Sequence, residues 1–240
     1  MRNSLMILFG ISMIAAFACG GSSKPEPTAA SPTPVSDEAF KAAATTAANA
    51  IQITSADLPG WTGKPYVKSN TQFDLSPECA TFNQETSPNA AVDTYSDDFT
   101  DAADRTVSSG VTIYRTAELA SKDSADFTVL LGRCRGEVSG AAEASIVKEA
   151  PGATARVAFD AIAANELGGW TNGYKMSISA TSADGARTSH SDVTVFWKLN
   201  GRIIVTFEFD GDKPIDASMR DDLKALLVKR MADAEPTLPR

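Results

Sequence analysis

Two runs of β-branched and aromatic residues flank an Asn-Gly pair: SDVTVFWKL from Ser191 to Leu199, and RIIVTFEFD from Arg202 to Asp210. This is a strong hairpin signal, because a two-residue type I′ turn needs positive φ at both central positions. A turn centred on Asn200-Gly201 sets Leu199 opposite Arg202, Trp197 opposite Ile204 and Val195 opposite Thr206, with Phe196 opposite Val205 and Thr194 opposite Phe207. Phe196, Ile203, Val205, Phe207 and Phe209 then share one face. Val193, Val195, Trp197 and Ile204 share the other, which turns polar at Thr206 and Glu208. Both faces need cover: helices on one, and a helix or a ligand on part of the other.

With 240 residues, 43% of them hydrophobic and 22% charged, the chain can bury one good core. A single domain is expected, at 36–240, after a leader at 1–18 and a linker at 19–35. The leader has one Arg2 and an apolar run from Leu5 to Ala18, too short to span a bilayer but right for a signal peptide. Cys19 follows at once, and Ala18-Cys19-Gly20 resembles a bacterial lipobox. The family usually has Leu three residues before the Cys, where this chain has Ala16, and Ala16-Phe17-Ala18 also fits ordinary secretory cleavage. The two readings are a membrane-anchored lipoprotein, lipidated on Cys19, and a secreted protein. The Gly, Ser, Pro and Thr-rich stretch from Gly20 to Pro34 lacks any apolar period and reads as a tether, reaching ~20 to 45 Å.

Cys79 and Cys134 remain. In an exported chain they most simply pair, contributing ~4 kcal/mol in the chain-entropy model, the alternative being two buried thiols. The net charge of −8 argues against a nucleic-acid partner, which needs a basic face.

Ser36 caps an Ala-rich helix to about Ile51, whose alanine face suggests a surface position. Pro59-Gly60 turns the chain and frees Leu58 and Trp61 to plug inward, with Trp61 a candidate ligand contact. Residues 63–73 read as a weak strand, and Ser76-Pro77 as the start of a short helix carrying Cys79. Residues 83–104 hold Asp93, Asp97, Asp98, Asp101 and Asp104. They lack calcium-loop spacing and read as a solvated loop, with no metal expected. Then come a strand over 105–116, a helix over 117–134 with Phe127, Leu130, Leu131 and Cys134 on one face, and an ambiguous strand at 153–162. A strand over 174–181 joins the hairpin in a meander. The closing helix is capped by Asp216 and carries Met219, Leu223, Leu226, Leu227 and Met231 in one stripe. The expected fold is α+β: a twisted antiparallel sheet with a C-terminal β-meander and helices packed on it.

The only histidine, His190, lies among Ser189, Ser191 and Asp192. Adjacent strand residues alternate faces, so this run does not converge on one reacting atom. No phosphate-binding loop, dinucleotide fingerprint, nucleophile elbow or zinc ligand set is present, and the chain reads as a non-enzyme without cofactor.

The segment Asp57-Leu58-Pro59-Gly60-Trp61, a helical Cys79, the strand Val111 to Ala117 running into a helix that ends at Cys134, the stretch Val193 to Val205 and a terminal amphipathic helix together resemble the PknH-like extracellular sensor domain. That family caps mycobacterial receptor serine/threonine kinases and occurs as free-standing lipoproteins. The resemblance covers about 51–233 and implies an antiparallel sheet flanked by helices, with a cleft regarded as a binding site. It departs in having one cysteine pair where the kinase-linked sensor has two disulfides, and in lacking a following transmembrane helix and kinase, so signalling is not carried over. Two functions follow. One is a ligand-binding or sensor-like lipoprotein whose cleft is lined by Trp197, Val195 and Ile204 and takes a small molecule or lipid. The other is a protein interaction module or accessory subunit of an envelope complex, using the same patch. A concave pocket favours the first, a flat patch the second, and a helix over this face would make it ordinary core.

Overall fold

The computed structural model describes residues 35–67, 87–133, 136–140, 154–182, 184–185, 188–211 and 213–239. Cys19, the tether, the helix expected at Ser76, Cys79 and Cys134 lie outside them. The elements are α1 (Asp37–Ile51), β1 (Thr62–Lys64), β2 (Ala90–Tyr95), β3 (Asp98–Thr100), β4 (Thr106–Tyr114), α2 (Ala117–Arg133), β5 (Gly136–Gly140), β6 (Thr154–Ala161), β7 (Asn172–Thr181), β8 (Thr188–Asn200), β9 (Ile203–Asp210) and α3 (Ala217–Ala234). All strands join one antiparallel sheet in the order β1-β3-β4-β9-β8-β7-β6-β5, with β2 and β3 both along the outer edge of β4. The fold is α+β, and the expected meander extends over five consecutive strands, β5 to β9.

The hairpin forms with its faces as expected and its register moved. Asn200 pairs with Ile203, Leu199 with Ile204 and Trp197 with Thr206. The turn residues are Gly201 and Arg202, with positive φ at Gly201 (+55°) alone, the pattern of a type II′ turn. Each expected partner is therefore off by two residues, which preserves the side-chain alternation and leaves every face assignment intact. The tail after α3 explains the shift. Arg202 donates from its backbone and Nε to Glu235, and its guanidinium also donates to the carbonyls of Leu238 and Pro239. Glu235 packs so closely on Gly201 that a Cβ there would lie 2.8 Å from its carboxyl carbon.

The Phe face packs against α1 and α3. Phe196, Ile203, Val205 and Phe207 are buried beside Val107, Val111 and Ile113 of β4 and Leu223, Leu227 and Met231 of α3. Helix α1 corrects an expectation: Phe40, Ala44, Ala47, Ala48 and Ile51 are all core, not surface. A face of alanines is weakly apolar per residue, but its small side chains let the helix approach close enough to remove the whole face from water. Ser36 caps α1 through a hydrogen bond from the Ala39 amide, and Asp216 caps α3 through the Ser218 and Met219 amides. Arg230, near the end of α3, makes a two-nitrogen ion pair with Asp57.

The acid-rich stretch is not a solvated loop. Its backbone forms β2 and β3 along β4, while Asp93 accepts from Thr112 and Asp101 clamps the Arg105 guanidinium. The strand expected over 63–73 covers only Thr62–Lys64 within the described residues. Among those residues no three His, Cys, Asp or Glu side chains are placed to hold a metal, and no helix is long and apolar enough to cross a membrane.

Candidate functional site

Alternate residues of β8 look in opposite directions, so Thr194, Phe196 and Lys198 point to the α3 side. Helix α3 lies over β9 and β8, and the segment between β6 and β7 folds back over the same face, with the Ile162 amide donating to the Gly173 carbonyl. Gly173 makes this possible, since a Cβ there would come within 2.8 Å of the Ile162 side chain and 2.9 Å of the Val195 carbonyl. Between helix and segment lies a half-enclosed cleft of about 660 Å³.

Its apolar wall is aromatic. Trp170 meets Phe196 edge-on at 6.2 Å between ring centroids, and Phe196 stacks on Phe209 at the same distance. Its charged groups are mostly cationic. Lys224, only 5% exposed, sits 4.0 Å from the Phe196 centroid and donates to the Leu167 carbonyl at 2.8 Å. Lys198 donates to the Gly169 carbonyl at 2.5 Å. Gly168 and Gly169, at φ of +58° and +81°, present the loop to both lysines, and only glycine takes such a pair without strain. Burial, with the nearby Arg220 charge, pushes the Lys224 ammonium below the usual lysine range, although Asp221 opposes this.

The residues read from the sequence as ligand contacts lie elsewhere. Trp197, Val195 and Ile204 face the opposite side, where Trp197 and Ile204 form a second core with Tyr114 of β4 and Ala120 of α2. All three are buried, Trp197 at 2% exposed with the Phe127 ring edge-on at 4.7 Å. Their expected exposure to a ligand is therefore corrected: α2 occupies that position, because its Ala120, Leu119 and Phe127 supply the cover this apolar face requires. Trp61 belongs to the other core, partly buried, with the Arg105 guanidinium 6.0 Å from its ring. The cleft residues Trp170, Lys198 and Lys224 were missed. Neither the Gly168-Gly169 pair nor Lys224, which directly follows Leu223 in the α3 sequence, carries a local pattern that marks a site.

His190 does gain a serine and a carboxylate: Ser179 comes from the paired strand β7, and Asp192, two residues on in the same strand, shares its face. Its Nδ1 lies 3.2 Å from Ser179 Oγ and its Nε2 3.0 Å from Asp192 Oδ1, with Ser177 donating to the same carboxylate oxygen. Ser179 is in β7, whose two edges are paired with β6 and β8. The amides of β7 around Ser179 are thus committed to the sheet, and among the described residues none of them is free to hold an oxyanion above the serine. The trio is an exposed hydrogen-bonded network.

On the α2 side, Glu208 faces Ser108 and Val195 across the neighbouring strands. Burial by the surrounding residues, with Asp210 and Asp98 nearby, pushes its carboxyl up to about 7, although the side chain keeps a solvent-exposed edge. The native state therefore holds this proton more tightly than the unfolded chain does. The stability it contributes is full below pH ~4.5 and is lost as pH rises through about 7. Glu208→Gln should raise the urea midpoint at pH 8 and leave it nearly unchanged at pH 4.5. Indistinguishable midpoints at pH 8 would contradict the raised value.

The sheet, its two helical layers and the cleft define an antiparallel α+β domain. No protein-family model matches the chain, and no curated protein does. Among solved structures, the extracellular domain of PknH from Mycobacterium tuberculosis is similar, with a TM-score of 0.50 and 15% identity over 84% of this chain and 98% of that one. At that identity the likeness is one of fold.

Proposed function

We propose that this chain is an extracytoplasmic lipoprotein whose α+β domain binds a small ligand without catalysis, in the manner of a sensor domain, in the cleft beneath α3. The observation that carries this reading is the cleft itself: half-enclosed, walled by Trp170, Phe196 and Phe209, with polar groups converging from a loop, a strand and a helix. Clefts of a few hundred Å³ with aromatic walls and few polar groups are the usual form of small-molecule sites. A concave site of this kind favours a small molecule over a flat protein surface. The fold it shares with the extracellular domain of PknH supports the extracytoplasmic placement and the sensor comparison. In this reading Cys19 carries the lipid anchor and Cys79 pairs with Cys134.

Native and intact-mass spectrometry of the protein extracted from its own envelope tests these points together. The expected result is a lipid mass on Cys19, a mass two hydrogens below the dithiol form, and a retained small molecule that is lost in Ala225→Trp. Ala225 is an exposed residue lining the cleft, so the larger side chain fills the site without entering the core. Ligand-free protein recovered in a stoichiometric complex with another protein would overturn the proposal in favour of an accessory subunit.

A further inference from the structure

Resting on the cleft being the binding site, we infer that its ligand is an amphiphile with an oxyanion head, a carboxylate or a phosphate, held by Lys198 and Lys224 with its apolar body against Trp170 and Phe209. The chain as a whole carries −8, yet the charged groups lining the cleft are four cations, Lys175, Lys198, Arg220 and Lys224, against two carboxylates, Glu166 and Asp221. Both carboxylates are engaged: Glu166 lies 3.9 Å from Lys175, and Asp221 accepts from Arg220 at 3.0 Å. Neither Lys198 nor Lys224 forms an ion pair among the described residues: both donate to backbone carbonyls, and Lys224 also lies over two aromatic rings, with the Asp221 carboxylate near enough to favour its charge.

An ammonium has three donors, and each of these lysines commits one to a loop carbonyl. The two carbonyls, of Leu167 and Gly169, are two residues apart in one short loop, so both ammoniums are tied to the same wall of the cleft. Burying Lys224 this far is costly, because a charge taken from water needs compensation. One neutral carbonyl, two ring faces and the nearby Asp221 carboxylate, itself held by Arg220, compensate it partly, and an oxyanion at the lysines would complete the set with charge-assisted hydrogen bonds. The aromatic wall lies beside this cationic edge. Lys224 lies over the Phe196 ring itself, so cationic and apolar surfaces adjoin within a single cleft, as an amphiphile requires.

The test uses the processed chain from Cys19 carrying Cys19→Ser, so that no acyl chain competes, with a matched pair of fluorescent probes. Anilinonaphthalene sulfonate and phenylnaphthylamine differ chiefly in the sulfonate, which stands in for the head group. The sulfonate should bind at least tenfold more tightly. Lys198→Gln should weaken it five- to tenfold and leave the uncharged probe unaffected, Lys198→Arg should restore it, and Ala225→Trp should abolish both. Dodecanoate or dodecyl phosphate, below micelle-forming concentration, should displace the sulfonate probe where equal acetate or inorganic phosphate does not. Displacement by the small anions as effective as by the amphiphiles would overturn the amphiphilic ligand. Equal affinity for the two probes, or equal loss of both in Lys198→Gln, would overturn the oxyanion head while leaving the cleft as a binding site. Failure of every probe and competitor to bind would count against the cleft itself.

Discussion

Phe207→Ala is expected to cost about 3 to 5 kcal/mol, the range for deleting a buried aromatic ring when its surroundings collapse only partly. Phe207 is fully buried near the middle of β9, with Phe209 at 5.9 Å and Trp170 at 6.3 Å between ring centroids. It belongs to the cluster where α1, α3 and the sheet meet. A domain of ordinary stability has about 5 to 15 kcal/mol in all, so the variant should be largely unfolded in moderate urea. Urea melts at matched slope measure the change. A loss under about 1 kcal/mol would mean this face is not the principal core.

Trp197→Ala should be similarly damaging, again about 3 to 5 kcal/mol, because the second face is core as well. The indole is packed by Phe127 and, at 6.3 Å, by Tyr174. Its Nε1 is buried and has no acceptor among the described residues, so packing dominates what the ring contributes. Trp197→Phe removes the indole N–H and keeps most of the apolar contact, and should cost less than about 1.5 kcal/mol. The contrast between the two substitutions separates packing from polarity. Stability of Trp197→Ala within 1 kcal/mol of the parent would return this face to solvent and to the ligand reading first suggested by the sequence.

The element order was readable because each signal was local. Alternation over Val107 to Ile113 and Tyr174 to Ala180, the caps at Ser36 and Asp216, and the stripe from Leu223 to Met231 each depend on residues a few positions apart. The two hairpin faces were likewise determined by the period of two, which survives a register error of two. The turn itself was not: whether Asn200-Gly201 or Gly201-Arg202 forms it depends on Arg202 reaching Glu235 and the tail beyond α3, a contact more than thirty residues away. The short strands β2 and β3 were missed for the same reason, since acidic residues mask a pairing that β4 supplies from outside.

The site was the least legible part. Trp197, Val195 and Ile204 stood out because large apolar residues on a second sheet face require an occupant, and sequence periodicity does not say whether that occupant is a ligand or a helix. The packing of α2 decides it. Lys198, Lys224 and Trp170 come from a strand, a helix and a loop that approach only in the folded chain, and each alone reads as a solvated charge or a core ring. The sequence by itself determined the fold class and the composition of each face, because these follow from local pattern. The tertiary structure alone decided which face is closed and where the cleft opens, because both depend on how helices far apart in sequence divide the two sides of one sheet.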